Sequence, residues 1–435
     1  MLRDTLLFFL ILTALHFIVR AVRSHYVFDS PKWWPLSIFN PRSPTLADIA
    51  AAVLVSAGFA AVLWRGEKTK YRSAAEVALF GTLLILGTNA VQGMVNGFVR
   101  PTNGGTIQYY HDAAHHTESP AVFLRRFDQI QPTLGDHGRT HPPGAILLFR
   151  LLGEITGNRP AAISVVIAIA ASLLTVYFFR LLLAAVLPNA SQNAGAILLL
   201  LLPAVQIYYC ATLDALIASL LLGVVGLFAI SPTPGRIAGS TCCLIAVSFL
   251  TFGFVWVVPL LLIVETNRWA GRTSVLRLTA LFGGLIAFYL ILSLGFGSSY
   301  LHALRTATHL ENPQGFRLLT EPLSYLFTRL EDVCEIAFFT GPVLLSLTFG
   351  NLKDFRRDHP FAWRLYAAAL GTLAILFLTG AYHTGETARA CLFLCPYLLL
   401  PVIAQSLSEP TKRRWILSTV FAQALLMQLL GRYFW

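Results

Sequence analysis

The chain has 435 residues, with 32 Lys or Arg against 21 Asp or Glu, a formal net charge of +11, and 56% hydrophobic but only 12% charged residues. A soluble domain carries about 25% charged residues, so this composition excludes an ordinary soluble enzyme and a disordered chain. The positive charge is not gathered into a basic stripe among polar residues, which argues against a nucleic-acid partner. What fits is an all-α polytopic membrane protein.

Residues 5–19 are apolar and run into Arg20 and Arg23 with no small-x-small cleavage pattern, so they read as a retained first span rather than a signal peptide. A crossing needs about 20 apolar residues. The apolar runs predict spans at 4–22, 45–64, 76–98, 160–187, 194–209, 211–230, 236–251, 253–265, 275–297, 333–350, 363–381, 387–406 and 415–431, thirteen in all with a range of 11–13. The runs 194–230 and 236–265 are each too long for one crossing, and each has an internal break, at Tyr208-Tyr209 with Asp214 and at Thr251-Phe252-Gly253. The organisation expected is three N-terminal spans in 1–98, a long loop at 99–159, spans four to nine in 160–297, a second loop at 298–332 and the remaining spans in 333–435.

Basic loops set orientation. Arg65, Lys68, Lys70 and Arg72 form one cluster; Arg268, Arg272 and Arg277 form a second. Lys353, Arg356, Arg357 and Arg364 form a third, and Lys412, Arg413 and Arg414 a fourth. With these spans all four fall on one side, the cytoplasmic one, while Arg23, Lys32 and Arg42 conflict by falling outside. Five of the six cysteines lie in or beside apolar runs, where Cys behaves as a small hydrophobe rather than as part of a disulfide framework.

The outer face then holds both long loops and a short one near residues 382–389. Eight of the eleven histidines fall there: His111, His115, His116, His137, His141, His302, His309 and His383. In Gln108-Tyr109-Tyr110-His111-Asp112-Ala113-Ala114-His115-His116, Asp112 reads two ways. It is a helix cap, or a carboxylate whose ionisation is disfavoured beside an apolar body, fit to serve as a general base. Downstream, Thr140-His141-Pro142-Pro143-Gly144 opens an apolar helix, with the prolines fixing the entry angle. Asp214 is either the N-cap of the 211–230 span or a functional group, since ionisable residues at membrane depth are costly.

An Asp-Ala loop after an early span, followed by an amphipathic stretch and then His-Pro-Pro before a helix, resembles the GT-C superfamily of membrane glycosyltransferases. The protein O-mannosyltransferase and aminoarabinose-transferase branch, family 39-like, is the nearest. Tyr208-Tyr209 with Leu213-Asp214-Ala215-Leu216, Phe249 to Phe254 with Val258-Pro259, and Gly385-Glu386-Thr387-Ala388-Arg389 also resemble it. The resemblance covers most of the chain from about residue 100. The chain departs from the family in two extra spans before the loop and in Asp112-Ala113 where an acidic pair is common. The resemblance implies a GT-C-like transmembrane core with a helical outer loop. It also implies inverting transfer of a sugar from a polyprenyl-phosphate donor to an acceptor lipid, glycan or protein. The site would lie at the outer face of a bacterial plasma membrane, with Asp112 as the base.

Polyprenyl phosphate leaves readily, so such an enzyme needs a base, positioning and cations for the departing phosphate. Arg139 and Arg389 are the candidate cations, with Tyr110, His111, His137, His141, Asp214 and Glu386 as further substrate-binding candidates. Glu386 can instead simply pair with Arg389, three residues on. Arg125 and Arg126, in an amphipathic stretch at 121–130, suit lipid headgroups.

Three rivals stay open. The spacing of His111, His115 and His116 matches one histidine box of a membrane metalloenzyme, without a second box. No cofactor is called for, but a single divalent metal ion held by Asp112, His115 or His116 is left open. A transporter or flippase of a lipid-linked sugar would place polar groups near the midplane, where charges look nearly absent. A polysaccharide ligase or polymerase would share the donor class and differ in acceptor.

Overall fold

The computed structural model describes residues 2–25, 40–69, 73–105, 108–268, 271–313, 315–381 and 386–433. Lys32, Lys70, Arg72, Tyr382, His383 and Gly385 lie outside them. The described residues are almost wholly helical; their strand content is one antiparallel pair of two-residue strands, Asn40–Pro41 with Gly431–Arg432.

Among the described residues, five helices are long and apolar enough to cross a membrane: Leu46–Leu63, Pro160–Val186, Leu213–Ile230, Arg272–Phe296 and Pro360–Leu378. A sixth crossing is added if Pro322–Thr340 and Pro342–Asp358 count as one bent span. These long apolar helices are compatible with an integral membrane protein.

Several expected spans are broken, and proline is the usual cause. The 194–209 run is two helices, Gln192–Leu201 and Pro203–Tyr208, with Leu202 extended between them. Pro203 cannot continue the helical bonding and pushes the residue before it out of the helical region. The 387–406 run divides into Thr387–Ala390, Leu392–Leu394, Cys395–Leu398 and Leu400–Ser406, with prolines at 396 and 401. The run at 333–350 is not one straight crossing. The chain bends by 99° at Gly341, whose φ of 99° suits glycine, just before Pro342. The helix before that bend begins at Pro322, so residues 322–332 belong to it and not to the second outer loop.

The Leu213–Ile230 helix is the centre of the core. It packs against Pro160–Val186 on one side and Pro234–Leu250 on the other. Close approach needs Gly226, where a Cβ would stand 2.7 Å from the Phe178 carbonyl oxygen. Side-chain amides bind other helices together. Thr88 donates to Gln206 Oε1 at 2.8 Å, Asn89 to the Gln206 carbonyl at 2.7 Å, and Gln206 Nε2 to the Leu200 carbonyl at 2.6 Å. Interhelical bonds of this kind hold apolar bundles, where burial alone does not discriminate between partners.

Three of the basic clusters meet at one end of this bundle. Arg268 donates to the carbonyls of Ala185 and Ala229, both at 3.0 Å, at the C-terminal ends of two core helices. Arg364 reaches Asn267 Oδ1 at 2.7 Å, and Asn351 donates to Ser406 at 2.9 Å, a few residues from Lys353 and Lys412 respectively. Arg42 sits elsewhere. Its amide bonds the Leu430 carbonyl at 2.9 Å, at the end of the Pro410–Leu430 helix opposite to Lys412–Arg414.

Candidate functional site

The long loop folds into short helices that lean on the bundle. Tyr109–His115 packs against Gly144–Thr156. The amphipathic helix Pro120–Ile130 is capped by Ser119, buries Phe123, Leu124, Phe127 and Ile130, and leaves Arg125 and Arg126 exposed. Arg150 organises the segment between them by donating to the carbonyls of His116 at 3.3 Å, Thr117 at 3.0 Å and Glu118. A single turn, Asp136–Arg139, then leads through Pro142-Pro143 into Gly144–Thr156.

Against this loop lies a cavity of about 710 Å3. Its polar wall draws Tyr109, Asp136, His137, Arg139 and His141 from the loop, Asp214 from the core, Glu311 from the Tyr300–Glu311 helix, and Glu386 and Arg389 from the segment near the C-terminal spans. Its apolar wall includes Ile217, Leu221, Phe252, Val255, Leu376 and Phe393. Asp214 lies at the first turn of the Leu213–Ile230 helix, and Ala229 at its last. The 18-residue helix is about 27 Å long, so cavity and basic loops occupy opposite ends of the bundle.

Asp214 does not cap its helix. Thr212 does, accepting from the Ala215 amide at 3.3 Å, after a turn in which Ala211 has a φ of 82°. That frees the Asp214 carboxylate, and its Oδ2 lies 3.2 Å from Arg389 Nε. Glu386 takes the other side of the guanidinium, bonding Nη2. Arg139 is paired in turn with Asp136 at 2.7 Å.

The segment carrying Arg389 is held from behind. Glu335 Oε1 accepts from the Ala388 amide at 3.0 Å, and Asp332 Oδ1 accepts from the Thr387 hydroxyl at 2.5 Å. Glu331, Asp332 and Glu335 are all buried in the Pro322–Thr340 helix, so charges within the bundle are not nearly absent, as the sequence suggested. Asp332 and Glu335 grip the turn that presents Arg389. The spacing of three carboxylates within an apolar helix was a readable signal for them.

The two loop histidines form an aromatic corner with Tyr109. Its ring centroid lies 5.5 Å from that of His137, 5.3 Å edge-on from that of His141 and 5.4 Å from that of Phe149. Burial pushes His137 well below the ordinary histidine range, helped by the nearby charge of Arg389. Burial also lowers His141, against the opposing pull of Asp214 and Glu311. Both rings are therefore neutral at neutral pH. His141 Nδ1 lies 3.0 Å from the His137 carbonyl oxygen. A carbonyl only accepts, so the proton sits on Nδ1 and Nε2 carries the lone pair.

Of the candidates read from the sequence, His137, Arg139, His141, Asp214, Glu386 and Arg389 meet in this cavity. Tyr110 and His111 do not line it. One helical step turns Tyr110 outward to bond the Asn158 carbonyl at 3.0 Å, and Tyr109 takes the inward place. Asp112 is also not among the lining residues. It stands within the Tyr109–His115 helix without capping it; Oδ1 accepts from the Gly135 amide at 3.1 Å, and Oδ2 is buried against Gly138. Desolvation raises the Asp112 carboxyl above the usual range, against that amide and the nearby charges of His116, His115 and His111. The carboxylate thus ties two loop turns together, a task that its position in the sequence does not reveal. His302 and His309 share a helix with the lining residues Leu304 and Ala307 but do not line the cavity themselves.

His115 Nδ1 is engaged by the His111 carbonyl at 2.7 Å, and His116 pairs with Glu118 at 3.4 Å. Among the described residues no group of three or more His, Cys, Asp or Glu side chains is disposed to hold a metal ion. Glu311 and the Thr251–Gly253 turn were not picked out as site residues from the sequence; their polar groups have no distinguishing spacing and reach the wall only through tertiary packing. No protein-family model and no curated protein matches the chain.

Proposed function

We propose that the protein is a membrane glycosyltransferase that moves a sugar from a polyprenyl-phosphate donor to an acceptor, with inversion, in this cavity. The observation that carries the reading is one cavity in which Arg389, Arg139, Asp214, Glu386 and two neutral histidines face an apolar wall. Carboxylates accept from vicinal sugar hydroxyls, guanidiniums donate to sugar and phosphate oxygens, and the apolar wall suits a prenyl tail. The charged wall of this cavity lies at one end of the central helix, which favours chemistry at a membrane surface over passage through it.

The wall carries four carboxylates and two guanidiniums, and Arg389 is held between two of the carboxylates. A donor phosphate therefore has to exchange for Glu386 or Asp214 at that guanidinium. Glu386 is the easier to displace, because it belongs to the short segment and not to a core helix.

In this reading the fold is a GT-C-like core of 11–13 crossings, with broken segments such as Gln192–Tyr208 completing some of them. The membrane is a bacterial plasma membrane, and the cavity opens on its outer face. The support is the positive-inside rule, since the basic loops occupy the far end of the bundle. The test is a panel of polyprenyl-phosphate sugars incubated with the protein in liposomes and scored for released polyprenyl phosphate. Turnover of at least one donor is expected; a protein that neither binds nor turns over any of them ends this reading.

A further inference from the structure

We infer that His141 Nε2 is the proton acceptor for the attacking nucleophile in this cavity, with the His137 carbonyl as the group that orients it. The inference rests on the transferase reading above and assigns the base within it.

Inverting transfer needs a base on the cavity wall. The acceptor oxygen forms a bond to the anomeric carbon while the bond from that carbon to the phosphate oxygen breaks. The electron pair of the broken bond leaves with the polyprenyl phosphate, and the proton of the acceptor hydroxyl must go to a base within hydrogen-bond reach. Asp112 does not line the cavity. Asp214 and Glu386 line it but are committed to Arg389, at 3.2 Å for Asp214. Both carboxylates are already engaged by the guanidinium, so neither is open to an acceptor proton without breaking that pair.

His141 differs from both. It lines the cavity, and its Nδ1 engages the His137 carbonyl at 3.0 Å and more distantly the Thr140 hydroxyl at 3.4 Å. No hydrogen bond from a described residue reaches Nε2, and Nε2 is not among the buried polar atoms left without a partner. It is therefore accessible from the cavity with its lone pair free. His137 is the contrast, because its Nε2 is buried and has no hydrogen-bond partner among the described residues.

The surroundings make His141 a base rather than an acid. The groups facing it are Tyr109 from the Tyr109–His115 helix, His137 from its own stretch, Asp214 from the core helix, Glu311 from the Tyr300–Glu311 helix and Arg389. Burial and Arg389 disfavour the charged ring in the resting site, while Asp214 and Glu311 steady the imidazolium once it has taken the proton. An ion-paired carboxylate behind a neutral imidazole is a sound arrangement for a group that must gain charge during the reaction.

The variant that separates base from scaffold is His141→Asn. Its amide nitrogen replaces Nδ1 as donor to the His137 carbonyl, and nothing replaces Nε2. With a donor that wild type turns over, kcat is expected to fall about 10^2- to 10^4-fold. The donor KM should change less than about threefold, and the acid limb of the wild-type pH profile, below about pH 6.5, should disappear. His141→Gln serves as a second variant if the first folds poorly. Unchanged kcat, or reduced kcat with the acid limb intact, overturns the assignment while wild-type turnover leaves the transferase reading standing. A wild-type protein that binds and turns over no donor overturns both.

Discussion

Arg389 Nε stands 3.2 Å from Asp214 Oδ2, joining a short segment before the C-terminal spans to the first turn of the central helix. The pair closes one side of the cavity and aligns the guanidinium. Arg389→Ala should raise the donor KM at least tenfold, about 1.4 kcal/mol. It also leaves Asp214 and Glu386 without their shared cation, so unfolding in detergent should come earlier by about 1–3 kcal/mol. Equal donor affinity in titrations of the variant would remove Arg389 from the phosphate site.

Asp112 allows a sharper separation of roles. Its carboxyl is raised by burial. A carboxyl whose folded value lies above its unfolded value costs stability as pH rises from the unfolded value through the folded one, and the cost is complete above the folded value. Asp112→Asn removes the charge and keeps an oxygen for the Gly135 amide. Its thermal midpoint at about pH 7 should equal or exceed that of wild type, with turnover within about threefold. Asp112→Ala loses the bond as well and should cost about 1 kcal/mol. A well-folded Asp112→Asn protein without activity would return the base to the loop carboxylate.

What could be read from the sequence divides along a physical line. The ionisable residues at span boundaries, Asp214 and Arg389, were legible because charge beside apolar runs is costly and needs a reason. His137 and His141 were legible because histidine is scarce elsewhere in the chain. The exchange of Tyr110 for Tyr109 turns on helix phase in a seven-residue helix, too short for periodicity to fix which side faces the core. Residues 322–332 belong to a helix and not to the expected loop, because Glu331, Asp332 and Glu335 interrupt the apolar run by which a span is read. Asp112 looked like a base on local grounds, and only the return of the chain at Gly135 gave it a partner.

Histidine burial has a consequence for stability against pH. His137 and His141 both have folded values below the ordinary one of 6.5, so the unfolded chain binds more protons between the two values. Stability from these groups is complete above about pH 6.5 and is lost as pH falls towards the lowered folded values. Thermal unfolding followed from about pH 8 down to about pH 5 should show this decline. The double variant His137→Gln/His141→Asn should flatten it, even though its stability at about pH 8 is no greater. An unchanged slope in the double variant would mean that other groups set the acid sensitivity.

Gly144 tests whether the His-Pro-Pro segment works by position. A Cβ there would run into the Phe249 carbonyl oxygen and the Phe249 ring. A backbone oxygen cannot yield as a flexible side chain can, so the Gly144–Thr156 helix must move away from Pro234–Leu250. Overpacking of this kind costs about 1–3 kcal/mol. Because His141 lies three residues before Gly144, the same shift should displace its ring from the cavity. Gly144→Ala is therefore expected to lower both the unfolding midpoint and kcat. At Gly235, at the start of Pro234–Leu250, an added Cβ would meet nothing within 4 Å. Gly235→Ala should raise stability by up to about 1 kcal/mol and leave turnover unchanged. If Gly144→Ala behaved like Gly235→Ala, the close packing of the two helices would not be what sets the position of His141.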